Sequence, residues 1–291
     1  MAIACTHGLD TGFVALGYAK VAFLGVVQGI TELMPISSTA HMRVVPALLG
    51  WQDPGSAFSA AMQVAALAAV ISYFWSDVEA LLFGSISAIK RRDFRDWNFR
   101  FSVWIVLATL PIIFAGLLLS PVLNACNSPL RALSVVGVSC IVMAALLALA
   151  EVYSLHKRTL DNVGLKDSMI VGFAQIGALI PGVSRSGSTL TAALFLDLQR
   201  AEAARFSFLL GLPAIAAAGL KEMWELHKAH LSMHGWSILF VGLFVASISA
   251  FVAIWGLLRI LERFSAWPFV FYRFALGIFL LVGVAFGFLP N

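Results

Sequence analysis

Gly25-Val-Val-Gln28-Gly-Ile-Thr-Glu32-Leu-Met-Pro35-Ile-Ser37-Ser38-Thr39-Ala-His41 is one copy of a pattern that returns later in the chain. The second copy reads Gly172-Phe-Ala-Gln175-Ile-Gly-Ala-Leu-Ile-Pro181-Gly182-Val-Ser184-Arg185-Ser186-Gly187-Ser188-Thr189. Each runs from an apolar, helix-like stretch through a Gln and a Pro into a Ser-rich break, then into another apolar stretch. A carboxylate and an imidazole in the first copy face a guanidinium in the second. Pro35 and Pro181 are 146 positions apart, and Phe58-Ser59 and Phe206-Ser207 are 148 apart. The repeat unit is therefore half the chain, residues 1–152 and 153–291 of one integral membrane domain.

Around these motifs the composition is that of a membrane protein. Of the 291 residues 60% are hydrophobic and 12% charged, against roughly 25% charged in a soluble domain. Uncharged stretches reach the ~20 residues needed to cross a bilayer, near 56–75, 101–120, 132–152, 205–223, 236–259 and 269–289. Met1 to Asp10 carry no basic segment ahead of an apolar core, which predicts no cleavable signal peptide. Cys5, Cys126 and Cys140 show no metal-type spacing and support neither a disulfide framework nor a thiol nucleophile.

Lys and Arg set the orientation. The segment 90–100, with Lys90, Arg91, Arg92, Arg95 and Arg100, is the densest basic loop and is assigned to the cytoplasm. With 153–168, 198–205 and 259–264 on the same side, these loops hold 12 of the 19 basic residues, and both termini fall outside. The segments 21–50 and 169–197 then have no span of their own. Each is broken by Pro and Ser or Gly into halves too short to cross, so each is predicted to be a re-entrant helix pair. One such pair plus three spans per half is an odd count, so the second half inserts inverted. The expected fold is an all-α polytopic membrane protein, an inverted-topology repeat of six transmembrane helices plus two re-entrant pairs. In such folds the broken segments meet near the midplane and form the site.

Gln28 and Glu32 are four apart and share a helix face. An ionisable residue this deep in an apolar run is usually functional. Pro35 stops the helix, Ser37 or Ser38 can cap the next one, and His41 falls one turn beyond Ser38. In the second copy Gly182 and Gly187, with the hydroxyls of Ser184, Ser186, Ser188 and Thr189, surround Arg185 just before an apolar helix. Glycines permit close backbone approach, a helix N-terminus offers unpaired N–H groups to an anion, and Arg adds a bidentate partner for phosphate. The plainer alternative makes Arg185 a structural counter-ion of Glu32. Ser37, Thr39, Ser184, Arg185, Ser186 and Gly187 are the candidate phosphate-binding residues. Glu32, Ser38, His41 and Arg185 are the candidate catalytic residues. Three schemes remain open: Ser38 as nucleophile with His41 as acid/base, His41 as nucleophile, or attack by metal-bound water.

At these motifs the chain resembles the undecaprenyl-diphosphatase (bacitracin-resistance) family. The matching blocks are Gln28 to Glu32, Pro35 to His41, Pro181 to Gly187, and Arg205-Phe-Ser-Phe-Leu-Leu210 with Pro213. Family members carry Glu or Gln where Gln28 stands and commonly Gly where Ala40 stands. The resemblance implies hydrolysis of undecaprenyl diphosphate to undecaprenyl phosphate and inorganic phosphate. That reaction recycles the carrier for cell-wall synthesis and depletes the target of bacitracin. It also implies a divalent cation, Mg²⁺ or Ca²⁺, for which Glu32 and Gln28 are the candidate ligands. The expected setting is the bacterial plasma membrane with the site facing outside. The partners are the polyprenyl diphosphate lipid and a possible second copy as a homodimer, with no nucleic acid. The rival reading is a polyprenyl-phosphate flippase or other secondary transporter, because inverted repeats of broken helices mark transporters too.

Overall fold

A computed structural model describes residues 11–123, 130 and 132–289, and among them the chain is helical with no strand. The first copy of the motif forms α1 (Phe13–Leu33) and α2 (Ser38–Leu48). Pro35 ends α1 by holding Met34 in an extended conformation, φ −72° and ψ 145°. Ser37 then takes φ 72° and caps α2, accepting from the Ala40 N–H at 3.4 Å. The second copy repeats the device. After α8 (Leu165–Gln175) and one 3₁₀ turn, the chain passes Pro181 to Ser184, which takes φ 70°. Ser184 caps α9 (Arg185–Phe195) by accepting from the Gly187 N–H at 3.2 Å. Helices α2 and α9 are both 11 residues long. A serine held at positive φ is strained, and such residues gather at functional sites.

Between and after these pairs lie α3 (Ser56–Ala61), α4 (Gln63–Tyr73), α5 (Trp75–Arg91), α6 (Trp97–Leu123) and α7 (Leu133–Tyr153). The chain ends with α10 (Arg200–Lys228), α11 (Met233–Arg263) and α12 (Trp267–Ala285). Among the described residues six helices are long and apolar enough to cross a membrane: α1, α6, α7, α10, α11 and α12. Five of them match expected spans. The sixth is a correction. The stretch 56–75 is interrupted at Met62, and at Phe74 the chain turns by 82° into α5. Its place among the six is taken by α1, which begins at Phe13, ahead of the expected start of the first broken segment. Gly17, at φ 73°, kinks α1.

Large apolar side chains such as Leu117, Leu118, Phe240 and Phe244 are exposed, while Gln28, Glu32, His41, Gln175 and Arg273 are buried. That inside-out distribution suits a lipid solvent. Helices α1 and α8 are drawn against α11 and α6 by glycines at matching places in the two motifs. A Cβ on Gly25 would stand 2.7 Å from the Gly242 carbonyl, and one on Gly172 2.2 Å from that of Ala108. At one end, ion pairs tie α10 to its neighbours: Arg200 to Glu151 on α7 and Arg205 to Asp77 on α5. Arg158 pairs with Asp167 at 2.6 Å in the same region. Arg200 and Arg205 are thus fixed in place.

Candidate active site

The end of α1 and the starts of α2 and α9 converge, and Glu32 is their meeting point. Its Oε2 accepts from Gln28 Nε2 at 2.9 Å and from the Ser38 hydroxyl at 2.6 Å. Its Oε1 faces the Arg185 guanidinium at 3.6 Å. The two copies are stitched directly as well: the Ser186 hydroxyl donates to the Met34 carbonyl at 3.0 Å and lies 3.3 Å from that of Glu32. Residues 152 and 154 positions apart are thereby in contact.

Arg185 is the least satisfied group in this cluster. Its side chain is 10% exposed, yet Nε, Nη1 and Nη2 all lack a hydrogen-bond partner. A buried guanidinium with five N–H donors and one carboxylate at 3.6 Å is incompletely neutralised and incompletely bonded. The pair stands at 3.6 Å and does not close to bidentate contact. Gly211 on α10 makes the space, since a Cβ there would lie 1.9 Å from Arg185 Nη1.

His41 is engaged elsewhere than its spacing suggests. Its Nδ1 lies 2.7 Å from the Ser37 carbonyl, so the neutral ring carries its proton there. Its Nε2 then accepts from the Tyr272 hydroxyl at 2.6 Å, and the two rings stack with centroids 5.6 Å apart. The hydrogen-bond partner of Ser38 is Glu32. Of the remaining candidates, Ser37, Ser184 and the Gly187 N–H are used in the two caps, and the Ser186 hydroxyl is used between the copies. Thr39 is exposed at the start of α2, outside the buried cluster.

Two residues on α12 were not assigned a role from the sequence. Tyr272 fixes His41. Arg273, 1% exposed, donates to the Pro35 carbonyl at 3.0 Å and to those of Gly182 and Val183 at 2.8 and 3.0 Å. It therefore clamps the breaks of both motifs to each other. An arginine within an apolar span was the available signal; its partners, far away in the chain, were not readable. Gln175, the counterpart of Gln28, is fully buried with neither amide atom bonded.

Gln28 Oε1 is also buried and without a partner, beside the Glu32 carboxylate. It is Nε2 that faces Glu32, so the two oxygens would share a hard cation only with the amide turned over. Among the described residues no group of three or more His, Cys, Asp or Glu side chains could hold a metal unaided. A cation here would complete its shell with ligand oxygens or water.

Fold and site together define a polytopic helical membrane protein built around a buried cluster in which one carboxylate meets an arginine, a glutamine and a serine hydroxyl. Its sequence matches the family described as bacitracin resistance protein BacA over residues 21–279, and the chain belongs to that family. It is 74% identical over 263 residues to undecaprenyl-diphosphatase 2 of Mesorhizobium japonicum, covering 90% of this chain and 100% of that protein. The undecaprenyl-diphosphatase of Gloeobacter violaceus is 49% identical over 276 residues, covering 95% of both chains. That of Trichormus variabilis is 43% identical over 289 residues, covering 99% of this chain and 90% of its own.

Proposed function

We propose that this protein is a membrane phosphatase that hydrolyses undecaprenyl diphosphate to undecaprenyl phosphate and inorganic phosphate. The observation that carries the reading is the buried Arg185 guanidinium, without a hydrogen bond and facing Glu32 at 3.6 Å, beside the Ser38–Glu32 hydrogen bond. One group is free to bind phosphate and the other is poised to attack it. The names of the relatives point to the same substrate. Such a reaction returns the lipid carrier to cell-wall synthesis and removes the target of bacitracin.

In this reading Ser38 Oγ attacks the terminal phosphorus in line with the bridging oxygen. The O–P bond forms as the phosphoanhydride bond breaks, the hydroxyl proton passes to Glu32, and the polyprenyl monophosphate leaves. Water then attacks the phosphoserine, releasing inorganic phosphate and restoring Ser38. Arg185 neutralises charge on the equatorial oxygens throughout, which is most of what phosphoryl transfer asks of a protein. Glu32 at 2.6 Å is the better-placed base for Ser38. His41, held by Ser37 and Tyr272, orients the start of α2. Gln28 and Glu32 would hold a divalent cation against the diphosphate, where it would supply further charge neutralisation.

The same proposal includes an inverted repeat of residues 1–152 and 153–291 with two re-entrant pairs. The equal lengths of α2 and α9, their matching serine caps and the matched glycines support it. Access from the outer face follows from assigning the basic loops to the cytoplasm. A homodimer is a separate part of the proposal, to be read from the mass of the detergent-solubilised particle. Purified protein in detergent, given polyprenyl diphosphate, tests the reaction itself. Release of inorganic phosphate upholds the phosphatase, whereas movement of the intact lipid across vesicles with no phosphate release assigns the site to transport.

A further inference from the structure

Ser207 lies on α10 in the Arg205-Phe-Ser-Phe-Leu-Leu210 block, 1% exposed, and its hydroxyl has no hydrogen-bond partner. A hydroxyl inside a helix has an easy default, the carbonyl one turn back. Thr31, Thr109, Ser168 and Thr191, all buried, take it, at 2.7, 2.8, 3.0 and 2.7 Å. Ser207 does not. A buried hydroxyl left unpaired destabilises the free protein and is seldom kept without a use.

Its position suggests the use. Gly211, four residues on, is where the Arg185 guanidinium rests against α10. Residues four apart share a helix face, so Ser207 lies on the wall of α10 turned toward Arg185. Arg185 has no hydrogen-bond partner at any of its three nitrogens. Two buried donors thus belong to the same side of α10, the Ser207 hydroxyl without a hydrogen bond and Arg185 held only by its ion pair with Glu32, and one acceptor-rich group would serve both. The reading of the site as a phosphatase centre supplies that group as a diphosphate. Resting on that reading for the ligand, we propose that Ser207 binds the substrate, donating its hydroxyl to a phosphoryl oxygen that Arg185 also holds. Helix α10 thereby becomes the third wall of the phosphate site, after the two broken motifs.

The test compares full-length wild type, Ser207→Ala and Ser207→Thr in detergent. It reads the rise in melting temperature on adding pyrophosphate and the kcat/KM for phosphate release from polyprenyl diphosphate. Ser207→Ala should melt at or above the wild-type temperature, because an unpaired buried hydroxyl has been removed. Its pyrophosphate affinity and kcat/KM should fall roughly tenfold or more, the worth of a hydrogen bond to a charged group. Ser207→Thr, which keeps the hydroxyl, should recover most of that loss. An alanine variant that binds pyrophosphate and turns over like wild type overturns the assignment. So does one that melts well below wild type and loses activity only in proportion to its unfolded fraction, or a wild type that binds no pyrophosphate. If wild type binds pyrophosphate more tightly than Ser207→Ala yet releases no phosphate from the lipid, the phosphatase reading falls and the Ser207 assignment stands.

Discussion

The Ser38 hydroxyl donates to Glu32 at 2.6 Å, and these two side chains come from opposite sides of the Pro35 break. An isolated serine is a poor nucleophile; one held on a buried carboxylate has its base already in place. Glu32→Gln keeps the shape and removes the base. Turnover of polyprenyl diphosphate should fall by roughly 10²- to 10⁴-fold, the usual range for losing general acid–base catalysis. Steady-state phosphate release measures it, and a Gln variant within a few-fold of wild type would take Glu32 out of the proton transfer.

Arg185→Lys preserves the charge and loses the planar fork. A lysine ammonium offers a point charge where the site presents space for two parallel N–H bonds to phosphate. kcat/KM should drop by roughly a hundredfold, about the loss of one strong charge-assisted pair, while the melting temperature changes little. Near-normal turnover by the Lys variant would make Arg185 a counter-ion to Glu32.

The unpartnered Gln28 Oε1 gives a way to separate cation binding from proton transfer. Chelator should abolish phosphate release, and Mg²⁺ or Ca²⁺ should restore it. Gln28→Leu should raise the cation concentration needed for half-maximal activity by roughly tenfold, a common effect of removing one ligand or its support, whereas Gln28→Glu should lower it. Unchanged activity after exhaustive chelation would remove the cation from the reaction.

Arg273 donates to buried carbonyls on both breaks, those of Pro35, Gly182 and Val183. Arg273→Leu should therefore destabilise the protein by about 3 kcal/mol or more, with a fall in melting temperature and loss of activity together. Tyr272→Phe frees one nitrogen of His41 and should be far milder, about tenfold in turnover and little in stability. If Arg273→Leu melts like wild type, the two breaks are held together by something else.

Much of this site could be read from the chain because its parts are local. Pro35 ends α1, Pro181 follows the 3₁₀ turn after α8, Ser37 and Ser184 cap the next helices, and Gln28 and Glu32 share a face, as the 2.9 Å contact shows. What could not be read is non-local. Tyr272 meets His41 across 231 positions, and nothing in the sequence around either residue announces it. In one of the schemes left open by the sequence His41 serves Ser38 one turn away; in the structure its ring contacts the Ser37 carbonyl and Tyr272. The stretch 56–75 was expected to be a straight span because hydropathy reports composition and is blind to backbone direction. The turn at Phe74 is set by tertiary packing, with its ring buried against Phe208 of α10.

The most direct measurement uses polyprenyl diphosphate labelled at its terminal phosphorus, with purified wild type and Ser38→Ala in detergent. The account expects wild type to release the label as inorganic phosphate and to leave unlabelled polyprenyl monophosphate. Ser38→Ala should bind the lipid and keep the label on it, and acid-stable labelled protein should accumulate only where Ser38 is present. Release of label by Ser38→Ala at a rate near that of wild type would contradict the account.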